Sequence, residues 1–410
     1  MRESVKKSIL AIATISGTII GVGLFSLPYI TLKVGIWIML GYFLILGFLV
    51  IVIHLCFGEL ALHTPDFKRL PGFAKIYLGN WGEKIALIST VLGLFGAILA
   101  YLIVGGEFLG ELLSPFLDES DYFYTLLYFF VGAALIYFGI KAIAKVEFLG
   151  LILFFLILIL IFFRGQPYLQ ISNLFPRPDF SQIFLPYGAI LFSLWAGSLI
   201  LEAEEMLGEQ KKLFKKLIVV SILIPALIYL FFIYLILGIT GSQTTPSALI
   251  GLKEFLGDGI VSLGLFFGII TTFTSFIALC LTLKKVFWYD FKADRNLAWL
   301  ITCFVPLALF FAGFQSFIQV ISLVGGIMLG VDGILILLMY RKLKLKTPAF
   351  AKASAFVPWA SADKSAGKQN SPATAGSRQR REKLKTSLLI FPLILIFLGG
   401  IIYEILYFVK

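Results

Sequence analysis

The sequence predicts an all-α polytopic membrane protein, and three observations carry that prediction. Of 410 residues, 60% are hydrophobic and 14% charged, whereas a water-soluble chain is about 45–50% apolar and about a quarter charged. Eleven apolar runs recur along the chain, each near the roughly 20 helical residues that span a bilayer core. On alternate sides of those runs, 29 of the 34 basic residues collect on one face. This composition excludes a soluble enzyme and a disordered scaffold. Two histidines are too few for a multi-histidine metal centre. Cys56, Cys280 and Cys303 sit inside apolar runs, with neither a disulfide framework nor metal-ligand spacing.

Taken in order, the runs are 8–30, 34–62, 84–113, 122–140, 143–163, 186–206, 214–238, 258–284, 297–313, 316–340 and 387–408. The first is expected to remain in the chain rather than be cleaved as a signal peptide. It is too long, carries Gly-Thr-Ile-Ile-Gly in its middle, and is followed by no small-residue cleavage site. Basic residues mark the cytoplasmic side of a membrane helix. The N-terminus and segments 63–84, 141–145, 207–216, 284–295 and 341–386 are therefore placed inside. That leaves Lys33, Arg164, Arg177, Lys253 and Lys410 outside. The net charge of +11 is then a topology signal, and no nucleic-acid partner is expected. An odd number of crossings in the cell membrane puts the C-terminus outside. Segment 347–386 turns to Ala, Ser, Lys, Gln and Gly, a composition that buries too little apolar surface to order itself. It reads as a disordered cytoplasmic loop, or as a basic surface that touches anionic lipid through Arg378, Arg380 and Arg381.

Two runs are broken at corresponding places. Run 1 holds Ser16-Gly17-Thr18-Ile19-Ile20-Gly21-Val22-Gly23 and then Pro28, and run 6 holds Ser193-Leu194-Trp195-Ala196-Gly197-Ser198. Glycine costs a helix about 1 kcal/mol relative to alanine, and opened backbone is tolerated in a bilayer only where it lines a protein cavity. Close helix packing by small residues is the other use of such clusters. Breaks in runs 1 and 6 of a five-plus-five arrangement are the expected sign of inverted repeats with a substrate site between them. Both segments, 17–23 and 193–198, are predicted to be non-helical and to face one central cavity.

GTIIGVGLFSLPY in run 1 and LFSLWAGSLILEAEEML in run 6 resemble the bacterial hydroxy- and aromatic amino-acid permeases, relatives of the amino acid/auxin permeases. YDFKADRNLAWLITCFVPLALFFAGF and FIQVISLVGGIMLGVDGILILLMY resemble later parts of such proteins. The resemblance covers nearly the whole chain except 347–386. It implies a LeuT-type fold of the amino acid–polyamine–organocation superfamily. The first repeat is then 1–163 (helices 1–5), the second is 164–346 (helices 6–10), and 387–410 adds an eleventh helix.

An amino acid presents a carboxylate and an ammonium side by side. Opened run 1 offers N–H groups and a favourable dipole to the carboxylate, with Gly21 and Gly23 leaving the backbone on either side of Val22 approachable. Carbonyls near Ser16, Gly17, Thr18 and Phe192 offer acceptors to the ammonium. By resemblance, Phe192, Ser193, Trp195 and Gly197 line the side-chain half of the pocket; Trp195 reads equally as a packed aromatic. Acids inside spans are costly and by default functional, which singles out Asp332 and Glu107 for proton coupling, although Glu107 also reads as a helix-end group. Glu202, Glu204 and Glu205 face Lys211, Lys212, Lys215 and Lys216 as a charged cluster at the cytoplasmic end.

The coupling ion stays open between Na+ and H+, and no cofactor is expected. Thr271, Thr274 and Ser275 share one helix face at i, i+3 and i+4. Sodium, a hard cation, takes oxygen ligands by the logic that governs calcium and magnesium. Together with carbonyls of Gly17 and Ile20, these residues resemble the sodium site of LeuT-type transporters. Hydroxyls bonded to their own preceding turn are the alternative. Against sodium, bacterial aromatic permeases are generally proton-coupled, and Lys145 at the start of run 5 keeps that route open. The sequence thus predicts a symporter that imports neutral amino acids, aromatic or otherwise apolar, by alternating access. The alternative is a membrane-embedded sensor of the same fold. No catalytic constellation or nucleotide-binding loop appears in the spans, so no enzyme is expected.

Overall fold

Apolar runs in a bilayer must satisfy their backbone internally, and every such run is helical in the computed structural model, which describes residues 2–64, 68–139, 143–208, 213–346 and 390–407. No strand occurs among the described residues. The helices are α1 (Arg2–Ile19), α2 (Leu27–Val34), α3 (Ile36–His63), α4 (Leu70–Leu78), α5 (Asn80–Leu113), α6 (Asp121–Phe138), α7 (Ile143–Gly165) and α8 (Pro186–Leu194). There follow α9 (Gly197–Leu207), α10 (Phe214–Thr240), α11 (Lys253–Leu256), α12 (Asp258–Lys285), α13 (Arg295–Phe311), α14 (Phe317–Leu323), α15 (Leu329–Lys346) and α16 (Ile390–Tyr407).

Seven helical stretches among the described residues, one of them running from α14 through α15 (Phe317–Leu345), are long and apolar enough to cross a membrane, and the bent pair around Gly21 makes an eighth. The apolar helices Ile152–Tyr168 and Arg295–Phe311 are shorter. With the α8–α9 pair they complete the eleven expected units. Outward faces are greasy, as lipid requires: Trp37, Leu44 and Phe48 on α3 and Leu395 and Leu406 on α16 are all exposed. Segment 347–386 and residues Lys211 and Lys212 lie outside the described residues.

The two breaks are narrower than the sequence suggests. α1 runs through Gly17 and Thr18 to Ile19, and only Ile20–Gly21 leave the helix. The chain then makes a 3₁₀ turn (Val22–Ser26) before α2, with a bend of 48° between the halves. Pro28 sits in the first turn of α2, where a missing N–H costs nothing. In run 6 only Trp195, which is extended, and Ala196 are unwound. The physical reason is hydrogen bonding. Thr18 Oγ1 donates to the Thr14 carbonyl, Ile20 N–H donates to the Ser16 carbonyl, and Ser193 Oγ donates to the Ala189 carbonyl. A buried unmade hydrogen bond costs about 1–3 kcal/mol, more than a glycine's helix penalty, so the helices persist until side chains from elsewhere take over the freed groups. A third irregularity was not foreseen: between α14 and α15 the chain forms a π turn, Val324–Met328, around Gly325 and Gly326.

Candidate functional site

The breaks face each other at the centre of the molecule. A Cβ on Gly23 would lie 3.1 Å from both Phe192 Cδ1 and Ser193 Cα, so the outer half of run 1 rests directly on α8. Three side chains from neighbouring helices hold the opened backbone. Tyr229 of α10, fully buried, points its hydroxyl at the Ile19 carbonyl (2.5 Å) and the Ser193 carbonyl (2.9 Å). Tyr101 of α5 accepts the Val22 N–H at 3.3 Å, and its hydroxyl lies where a side chain on Gly21 would begin. His54 of α3, 1% exposed, accepts the Ala196 N–H on Nε2 at 2.9 Å.

The tautomer of His54 follows from its partners. Nε2 receives an N–H, so it carries no hydrogen, and Nδ1 donates to the Val50 carbonyl at 2.7 Å. A second hydrogen on Nε2 would set two donors against each other. Trp195 packs edge-on against the same imidazole, with ring centroids 5.0 Å apart. Sequence reading weighed His54 only as a metal ligand. Its signal was a polar ring in a run otherwise free of charge from Ile36 to Gly58. Tyr101 and Tyr229 carried no signal among 16 tyrosines.

Of the residues singled out from sequence, Gly21, Val22, Gly23, Phe192, Ser193, Trp195 and Gly197 meet at this point. Ser16 does not turn its side chain to it: its hydroxyl donates to the Ser221 carbonyl of α10, and its own carbonyl accepts Ile20 N–H. The carbonyl freed instead is that of Ser193, which Tyr229 meets; the Ile19 carbonyl accepts both the Gly21 N–H at 2.8 Å and the Tyr229 hydroxyl. Thr14, Gly17 and Thr18 of α1 and Gly21 of the break are partly accessible, whereas Val22–Ser26 are all buried. Above the break, Phe25 packs edge-on against Phe108, Phe154 and Phe232 with centroids 5.1, 6.0 and 6.1 Å apart. Beyond that plug lies an outer cavity of about 260 Å³, lined by Tyr29, Glu107, Gln182, Gln319 and Tyr407 among others. The Phe25 cluster closes the site on the side of that cavity.

The ion candidates are dispersed. Thr271 and Thr274 hydroxyls donate to carbonyls of their own helix, at Phe267 and at Ile270 and Thr271, which leaves their lone pairs as acceptors for a cation. Ser275 is half-buried on the same face. Glu107 is exposed into the outer cavity. Asp332, 7% exposed in α15, has an oxygen with no hydrogen-bond partner. Lys145 lies in α7, and its side chain is outside the described residues. No group of three or more His, Cys, Asp or Glu that could hold a metal ion occurs among the described residues. At the basic end, Glu59 of α3 pairs with Lys344 of α15 and, at 3.7 Å, with Lys215 of α10, tying three spans together.

Residues 4–353, breaks included, match the tryptophan/tyrosine permease family. The chain belongs to that family. Among solved structures, the permease resembles MhsT in complex with L-phenylalanine at a TM-score of 0.60 and 14% identity, covering 98% of this chain and 97% of that one. It also resembles Mhp1, a nucleobase-cation-symport-1 family transporter, closed with bromovinylhydantoin bound: TM-score 0.59, 13% identity, 96% and 92% covered. Inward-facing Mhp1 matches at 0.57 and 13%, covering 81% and 75%. No curated protein sequence matched the chain. At such identities the structural likeness establishes the fold, which is LeuT-type. The permease is a membrane-embedded secondary transporter rather than an enzyme.

Proposed function

We propose that the permease moves aromatic amino acids across the cell membrane by symport, with the substrate held between the two breaks. Family membership favours transport over a sensor that binds without moving its ligand. The observation that carries the site is the pairing of opened backbone with two phenols, Tyr101 and Tyr229. A carboxylate fits beside Gly21 and Val22, where the start of the outer half of run 1 supplies N–H groups. The Ser193 carbonyl is the acceptor an ammonium would share with Tyr229. Phe192 and Trp195, both half-buried, provide apolar walls for a ring. The basic end is cytoplasmic and the C-terminus is outside. MhsT, a relative in fold, was solved with L-phenylalanine.

Coupling is by sodium at Gly17, Ile20, Thr271, Thr274 and Ser275, or by protons at buried carboxylates. The experiment is uptake of labelled tryptophan, tyrosine and phenylalanine into proteoliposomes, in sodium against choline buffer and with or without a pH gradient. Accumulation of one of them in excess of the others supports the reading. Binding without accumulation under any gradient would return the protein to the sensor class. Sodium-dependent uptake lost in Thr274→Ala assigns the sodium site; uptake indifferent to sodium removes it.

A further inference from the structure

Helix α16 is the last and most lipid-exposed crossing, yet it buries an acid. It packs along Gly326, Gly330 and Gly333, which lie at i, i+4 and i+7 on one face of the π turn and α15. Phe397 seats on Gly333, Ile401 on Gly330 and Glu404 on Gly326. A Cβ on Gly326 would lie 3.1 Å from a carboxylate oxygen of Glu404. Glu404 is 1% exposed, and neither of its oxygens has a hydrogen-bond partner. An unpaired charge inside a membrane is costly, and such groups mark ion and proton pathways.

A second unpartnered polar group faces the same place. Tyr187 of α8 is 5% exposed, and its hydroxyl also lacks a partner. Its ring lies against Gly400, one turn before Glu404. The titratable groups that face Glu404 are Tyr187 of α8, Tyr42 of α3 and Tyr403 of its own helix. On α15 the nearest acid is Asp332, six residues beyond Gly326. No ion pair to Glu404 occurs among the described residues.

The position connects two places that the transport reading needs connected. Tyr407, three residues past Glu404, lines the outer cavity with Gln182, Leu185 and Gln319. On the other side, the π turn touches the substrate site: Gly325 sits on the Gly188 carbonyl, and a Cβ there would be 2.9 Å from Phe192 N. π turns put one extra residue in a helix turn and recur at functional sites. We propose that Glu404 is a proton-binding site, loaded from the outer cavity, whose occupancy sets how the π turn of Val324–Met328 seats on α8 beside the substrate. Loading forms one O–H bond on the carboxylate with a proton from cavity water, and unloading returns that proton to water. The neutral acid has a hydrogen to donate toward Tyr187; the ionised form has none and draws water or a counter-charge between α16 and the π turn.

This inference rests on the transport reading and is tested with Glu404→Gln, which keeps shape and polarity and cannot titrate. The full chain is reconstituted in liposomes with labelled tryptophan, tyrosine or phenylalanine, whichever wild type exchanges. Two transport modes are compared: counterflow, which needs only substrate exchange, and accumulation driven by one pH unit. That gradient supports at most about tenfold accumulation for one proton per substrate. The variant is expected to retain counterflow within about twofold and to lose the accumulation. A variant that accumulates like wild type overturns the proposal, and so does one that is folded but loses counterflow as well. Wild type that accumulates in sodium with no effect of pH overturns it too. A second measurement needs no transport: the thermal midpoint of wild type should vary with pH in a way that Glu404→Gln does not. Absence of counterflow for all three amino acids sinks the transport reading, while the difference in thermal midpoint alone decides the proton site. A sodium-induced rise in that midpoint, lost in the variant, would show a metal cation in place of the proton.

Discussion

Replacing Tyr229 by Phe removes one oxygen and tests how the two broken helices are held. The hydroxyl lies 2.5 Å from the Ile19 carbonyl and 2.9 Å from the Ser193 carbonyl, with no exposed surface at the residue. A phenol has a single hydrogen, so it donates to one carbonyl at a time. The loss is therefore one buried hydrogen bond rather than two. The Ile19 carbonyl keeps the Gly21 N–H at 2.8 Å, so the buried acceptor left unsatisfied is the Ser193 carbonyl, at a cost of about 1–3 kcal/mol. The ring remains, so no cavity forms and the packing around it is unchanged. Alternating access requires the halves to separate in other conformations, and the cost then falls on the conformation in which α1 and α8 are stitched together. At 1.4 kcal/mol per tenfold, substrate affinity in this conformation should fall by about five- to about a hundredfold. Equilibrium binding of labelled aromatic amino acid to purified protein measures it, and the thermal midpoint should drop in parallel. Wild-type affinity and an unchanged midpoint would refute the idea that Tyr229 holds the opened backbone.

Three further outcomes are expected. Gly21→Leu should abolish binding in folded protein, because its side chain would start against the Tyr101 hydroxyl and fill the place for a carboxylate; a monodisperse variant with normal affinity would move the site elsewhere. His54→Ala should destabilise the protein by about 1–3 kcal/mol, since the buried Ala196 N–H loses the imidazole that accepts it and water cannot readily reach it; equal thermal midpoints would argue against this. Deleting residues 350–380 should leave uptake intact, and a well-folded deletion without uptake would give that loop a role.

Much of the fold was legible because membrane constraints are simple. Length and hydropathy located the crossings, and the glycines of run 1, read as a break over 17–23, bracket the narrower one observed at Ile20–Gly21. The extent of each opening was not legible. Whether Gly17 and Ser193 stay helical depends on Thr14, Ala189 and Ser16, each of which supplies a bond inside the helix. The π turn at Gly325 and Gly326 was hidden for a related reason. A glycine pair reads the same whether it opens a helix, packs it closely or inserts an extra residue, and here close contact with α8 and α16 decides. Glu404 was passed over because it lies near a predicted helix end, where an acid ordinarily reaches water; only its seat on Gly326 buries it.

The same missed residues show what sets affinity. The N–H of Val22, the carbonyls of Ile19 and Ser193 and the N–H of Ala196 are the groups an opened span would offer a zwitterion, yet each already has a side-chain partner from α3, α5 or α10. At the Val22 and Ala196 N–H groups, each with a single hydrogen, binding is then an exchange of partners whose net yield is the difference between ligand and side-chain hydrogen bonds, whereas the Ser193 carbonyl has a second lone pair and accepts a ligand beside Tyr229. Such differences are small, about 0.5–1.5 kcal/mol per bond, which suits a carrier that must release its cargo. They are also easily biased. Moving Tyr229, Tyr101 or His54 by a few tenths of an ångström changes which partner wins, and each sits on a different helix around the breaks. A change in helix packing anywhere in that ring is therefore read at the substrate site as a change in affinity, which is the coupling that alternating access requires.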